Sequence, residues 1–71
     1  MSNADNGKRY RIVLRGRLGE RFADAFEGMT LSPRRGETVL EGRLSDQSQL
    51  FGVLDRVRDL AIEVVRVEEL A

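Results

Sequence analysis

Seventy-one residues with twelve basic and twelve acidic side chains, no histidine and no cysteine, describe one small domain and close several routes of chemistry. A chain of this size buries only about 60% of the surface its unfolded form exposes, so small scaffolds lean on disulfides, a structural metal or self-association. Without cysteine or histidine the first two are excluded in their usual forms, as are a thiol nucleophile and the customary general base near neutral pH.

Balanced charge lacks the basic excess with which nucleic-acid binders displace counterions, so nucleic-acid binding is disfavoured. Lys8 is the one lysine; the arginine preference reflects base composition more simply than recognition chemistry. No apolar run approaches the roughly 20 residues that span a bilayer, and no membrane role is expected. The polar start, Met1 to Lys8, has no secretion-signal core, and Ser2-Asn3-Ala4 reads as the remnant of a cleaved tag. Residues 1–8 are therefore expected to form a disordered tail and 9–71 a single domain, with the cytoplasm as default location.

In Tyr10 to Leu18, Tyr10, Ile12, Leu14 and Leu18 share one parity, and Arg11, Arg15 and Arg17 the other. A period of two predicts a strand with one buried face. Phe22 and Phe26, four apart and followed by Gly28, predict a short helix over Glu20–Glu27. Met29 to Ser32 alternates again, and Pro33 confines that strand to a sheet edge. A turn at Pro33-Arg34-Arg35-Gly36 leads to a third strand, Thr38 to Leu44. Asp46 with Gln49 predicts a capping box, opening a helix whose stripe is Leu50, Val53, Leu54, Val57, Leu60 and Ala61. The β-branched run in Ile62 to Val67 predicts a last strand.

Val13-Leu14-Arg15-Gly16-Arg17-Leu18 recurs as Val39-Leu40-Glu41-Gly42-Arg43-Leu44 with one substitution. Two tandem strand–helix–strand halves predict an α+β, ferredoxin-like split βαβ fold (β-α-β-β-α-β), with a four-stranded antiparallel sheet and both helices on one face. The helices would then cover Tyr10, Ile12, Leu14, Leu40 and Leu44. The other face would carry Arg11, Val13, Arg15, Val39, Glu41, Val65 and Val67, an apolar valine stripe with a charged border and the candidate interface. Each valine buried there would contribute about 1.5 to 3 kcal/mol to an association.

Nothing in the sequence assembles a catalytic constellation, so the chain is read as not an enzyme and as needing no cofactor. Asp55 and Asp59 share a helix side with Arg56 and Arg58, the pattern of a solvated charged face. Glu68-Glu69 is assigned to a frayed terminus. Gly16 and Gly42 belong to no phosphate-loop pattern and read as bulge or close-approach positions.

The stretch from Phe22-Ala23-Asp24-Ala25-Phe26-Glu27-Gly28-Met29, through Thr38-Val39-Leu40 with Gly42 and Asp46-Gln47, to Leu54-Asp55-Arg56-Val57-Arg58-Asp59-Leu60 resembles a group of short uncharacterised bacterial proteins. The resemblance covers about Arg9 to Leu70 and implies no activity or cofactor. It departs at Ala61, where members of the group often carry glycine. At the level of fold the chain also looks like small ligand-sensing modules of the ACT type. The functional expectation is a non-catalytic interaction module that homodimerises or docks another protein through the open sheet face. The alternative is a small-molecule sensor with ligand near a strand-to-helix turn, Gly19-Glu20 or Ser45-Asp46.

Overall fold

The computed structural model describes residues 7–70, apart from the side chains of Glu20 and Arg21; of the tail expected over residues 1–8, residues 1–6 lie outside the described residues, and Lys8 opens the first strand. In chain order the elements are β1 (Lys8–Arg15), a 3₁₀ segment (Glu20–Phe26), β2 (Thr30–Arg34), β3 (Glu37–Leu44), α1 (Gln47–Asp59) and β4 (Val64–Leu70). The strands form one four-stranded sheet in the order β2-β3-β1-β4, with each neighbouring pair antiparallel.

The two-helix β-α-β-β-α-β arrangement expected from the sequence is overturned. Among the described residues α1 is the one α-helix, and the first helix is replaced by seven residues of 3₁₀ turn. The reason is local. Gly19 stands at the N-cap and offers no side-chain acceptor, and Gly28, at φ 86°, breaks the chain two residues past the segment. Seven residues do not recover the cost of nucleating an α-helix. The segment still delivers Phe26, 2% exposed, to the core.

The core lies on one side of the sheet. Tyr10, Ile12 and Leu14 of β1 and Leu40 and Leu44 of β3 meet Phe26 and the α1 residues Leu50 and Val57. α1 begins as its sequence predicts: Asp46 accepts from the Gln49 amide at 3.0 Å, and the Gln49 side chain accepts from the Ser45 amide at 2.8 Å. It ends in a Schellman arrangement, with Ile62 N–H donating to Val57 O and Ala61 N–H to Arg58 O. That geometry puts Ala61 at φ 60°, the left-handed region.

Pro33 lies in an edge strand, as its missing N–H requires. The repeated hexapeptide does not play equivalent roles. In the first copy β1 stops at Arg15 and Gly16 turns at φ 97°, whereas the second copy lies wholly within β3. There Gly42 lets the loop before β2 approach: a Cβ would sit 3.0 Å from Gly28 O and 3.1 Å from Met29 Cγ. Thr38 holds the loop after β1. Its fully buried hydroxyl donates to Gly16 O at 2.8 Å and accepts from Leu18 N–H at 3.0 Å.

Candidate interaction surface

The face of the sheet away from the core is built from one residue in two along each strand. Register sets Arg11 opposite Glu41 and Glu68, Val13 opposite Val39 and Arg66, and Arg15 opposite Glu37. Opposed residues share a face, so Arg11, Val13, Arg15, Val39 and Glu41 are brought together as the sequence predicts.

Their arrangement is not an apolar stripe with a charged rim. Val13 is 0% and Val39 5% exposed, although no further layer of secondary structure lies over this face among the described residues. Long side chains stand beside them in the register, Arg11 with Glu41, Arg15 with Glu37, and Arg66 across from Val13. An arginine's aliphatic stem can lie along such apolar surface while its guanidinium remains in water.

The guanidiniums are held by carboxylates. Arg11 Nε donates to Glu41 Oε2 at 2.9 Å, Arg9 lies 3.6 Å from Glu41 Oε1, and Arg11 lies 3.6 Å from Glu68 Oε1. Arg66 Nε meets Glu68 Oε2 at 3.3 Å, and Arg15 meets Glu63 at 3.1 Å nearer the end of the sheet. Glu68 is therefore a working member of the sheet and not part of a frayed end. Its Oε1 is buried yet has no hydrogen-bond partner.

Val65 and Val67 do not join this face as parity predicts. The β1–β4 register shifts between Val13 and Leu14: Val13 pairs with Arg66 and Leu14 with Val64, leaving Val65 as the extra residue of a β-bulge. Val67 pairs with Ile12, on the core side. The bulge also places Val64 on that side, opposite Leu14, although it lies three positions from Val67 and a regular strand would send the two to opposite faces. Both stay open to solvent, Val64 at 37% and Val67 at 39% exposed, along the outer strand of the sheet. On α1 and its cap, Phe51 at 57% and Leu60 at 38% are exposed as well.

Depressions also mark the surface of the described residues. A cleft of about 440 Å³ separates the 3₁₀ segment from α1, with Phe26, Leu44 and Val53 as apolar lining and Arg43 and Arg56 among the polar groups. A smaller one of about 160 Å³ lies at the Ser45-Asp46 turn, beside Lys8 and Glu69. Asp46 there already caps α1, and its carboxylate disfavours an anion. Asp55 forms an exposed pair with Arg58 at 3.5 Å, consistent with a solvated helix side. No group of three or more carboxylates is gathered for a metal ion among the described residues, and no helix is long and apolar enough to cross a membrane.

One antiparallel sheet, covered on one face by α1 and the 3₁₀ segment and carrying ion pairs on the other, defines a small α+β domain whose exposed apolar side chains include Val64 and Val67 on the edge strand β4 and Phe51 and Leu60 on α1 and its cap. The chain belongs to the family described as a domain of unknown function, DUF8691, whose profile matches residues 9–68. No curated protein and no solved structure shows significant similarity to the chain.

Proposed function

We propose that the chain is a non-catalytic interaction module that docks protein along the outer edge of β4. The supporting observation is the contrast between the two edges of the sheet. β2 is five residues long and carries Pro33, which withholds an N–H from any pairing strand. β4 is seven residues long, has no proline or lysine, and is lined by the exposed Val64 and Val67. An open strand with apolar side chains beside it suits an extended segment that adds to the sheet by main-chain hydrogen bonds. Docking at an edge is favoured over docking on the valine face, because Val13 and Val39 are already buried within the chain itself.

The test is a photoreactive residue placed at Val67 and, as a control, at Ser32 on the β2 edge. Irradiation of the intact chain in extract of its source cell should give adducts from position 67 well above those from position 32. Equal yields at the two positions, or none at 67, refute the reading.

A second reading, a small-molecule sensor, draws support from the 440 Å³ cleft, whose size falls within the range of ligand sites and whose Arg43 and Arg56 suit an anionic amphiphile. A thermal-shift screen of amino acids and nucleotides tests it, and a flat response across the set removes it.

A further inference from the structure

We infer that the segment that pairs with β4 is β4 of a second copy of this chain, antiparallel about a two-fold axis at Val67; this rests on the edge-docking reading above. A two-fold axis perpendicular to a sheet pairs residues of the same side-chain parity, so each possible register is centred on one residue. The strand reads Val64-Val65-Arg66-Val67-Glu68-Glu69-Leu70. Centring on Arg66 opposes two arginines. Centring on Glu68 or Glu69 opposes two glutamates. Centring on Val65 leaves Arg66 facing Val64, with no carboxylate across from it. Only the register centred on Val67 sets Arg66 of each copy against Glu68 of the other, twice, while Val67 meets its own twin.

Two features of the single chain favour this partner. Val67, at 39% exposed, is the apolar side chain the axis would cover. On Glu68, Oε1 is buried beside Arg11 at 3.6 Å, while Oε2, on a side chain 39% exposed, accepts from Arg66 of its own strand at 3.3 Å. A facing arginine from the second copy supplies donors to that carboxylate. Opposite charges directly across a ladder stabilise it, and like charges weaken it. The pairing would join two sheets into one of eight strands and bury part of the apolar edge that a small core leaves exposed.

The chain contains no cysteine, so a single introduced thiol reports the register without ambiguity. Directly opposed Cα atoms lie about 4.5–5.5 Å apart, within disulfide reach. Val67→Cys should therefore form a covalent dimer rapidly under mild oxidation. Glu69→Cys should not, because its twin would lie four residues along the ladder, about 14 Å away. Arg66→Glu and Glu68→Arg should each weaken dimerisation on the order of tenfold, and an equimolar mixture of the two should restore it. Circular dichroism of each variant confirms the fold. A chain that stays monomeric over a hundredfold concentration range, or Glu69→Cys cross-linking as fast as Val67→Cys, overturns the inference. The photo-adducts at position 67 separate the two levels. Adducts of another mass on a monomeric chain leave edge docking standing and remove self-pairing, and an absence of adducts removes both.

Discussion

Replacing Ala61 with glycine should make the protein more stable, against the usual trend for glycine. Ala61 follows the last turn of α1 at φ 60°, held there by the paired bonds from its own amide to Arg58 O and from Ile62 N–H to Val57 O. An L-residue with a Cβ costs roughly 1–2 kcal/mol in the left-handed region. Glycine removes that strain but adds unfolded-state freedom worth about 0.5–1 kcal/mol. The net gain is about 0.5–1 kcal/mol, and at roughly 4–8 °C per kcal/mol for a domain of this size it raises Tm by about 2–8 °C. Thermal and urea unfolding followed by circular dichroism measure it directly. A control, Ala61→Val, should lower Tm, since a β-branched residue tolerates positive φ least. An unchanged or lower Tm for the glycine variant would refute the strain argument.

Three further outcomes follow from contacts within the fold. Gly42→Ala should destabilise by about 1–3 kcal/mol in urea titration, because the new methyl group meets the backbone of Gly28 and Met29 at 3.0–3.2 Å. Thr38→Val, close in shape, should cost on the order of 2 kcal/mol by the same measurement: it orphans both Leu18 N–H and Gly16 O, and hydrogen exchange should quicken at Leu18. Asp46→Ala should cost about 1 kcal/mol through the lost N-cap, with Asp46→Asn recovering most of it.

The parts of the fold legible in the sequence were those with short-range causes. Alternation in Tyr10 to Leu14 and in Thr38 to Leu44 located the central strands and their buried sides, and Asp46 with Gln49 located the start of α1. Pro33 was enough to place its strand at an edge. The first helix was misread because Phe22 and Phe26 have helical spacing, while the missing cap at Gly19 was given no weight. Parity failed at Val65, since nothing in a run of valines marks which of them bulges; that single extra residue moved Val67 to the opposite face. The repeated hexapeptide misled because Gly16 and Gly42 serve different needs, one a positive φ and the other a close approach. The covered state of Val13 and Val39 was illegible for another reason. Burial on that face depends on the neighbours that three strands bring together in register, which no local pattern encodes. Strand patterning marks Thr38 only as a strand residue, and its role as a clamp on the loop after β1 depends on contacts between residues about twenty apart in sequence.

Pro33 also sets how far any assembly through this sheet can grow. Two chains joined at β4 would present β2 at both outer margins of the combined sheet. Each margin would then end in a five-residue strand carrying a proline. Neither margin offers a third chain as long an edge as β4, so the pairing proposed above would stop at two copies and would not propagate into a fibre. Exchanging Pro33 for a β-branched residue would remove the stop at the one position where the fold supplies it.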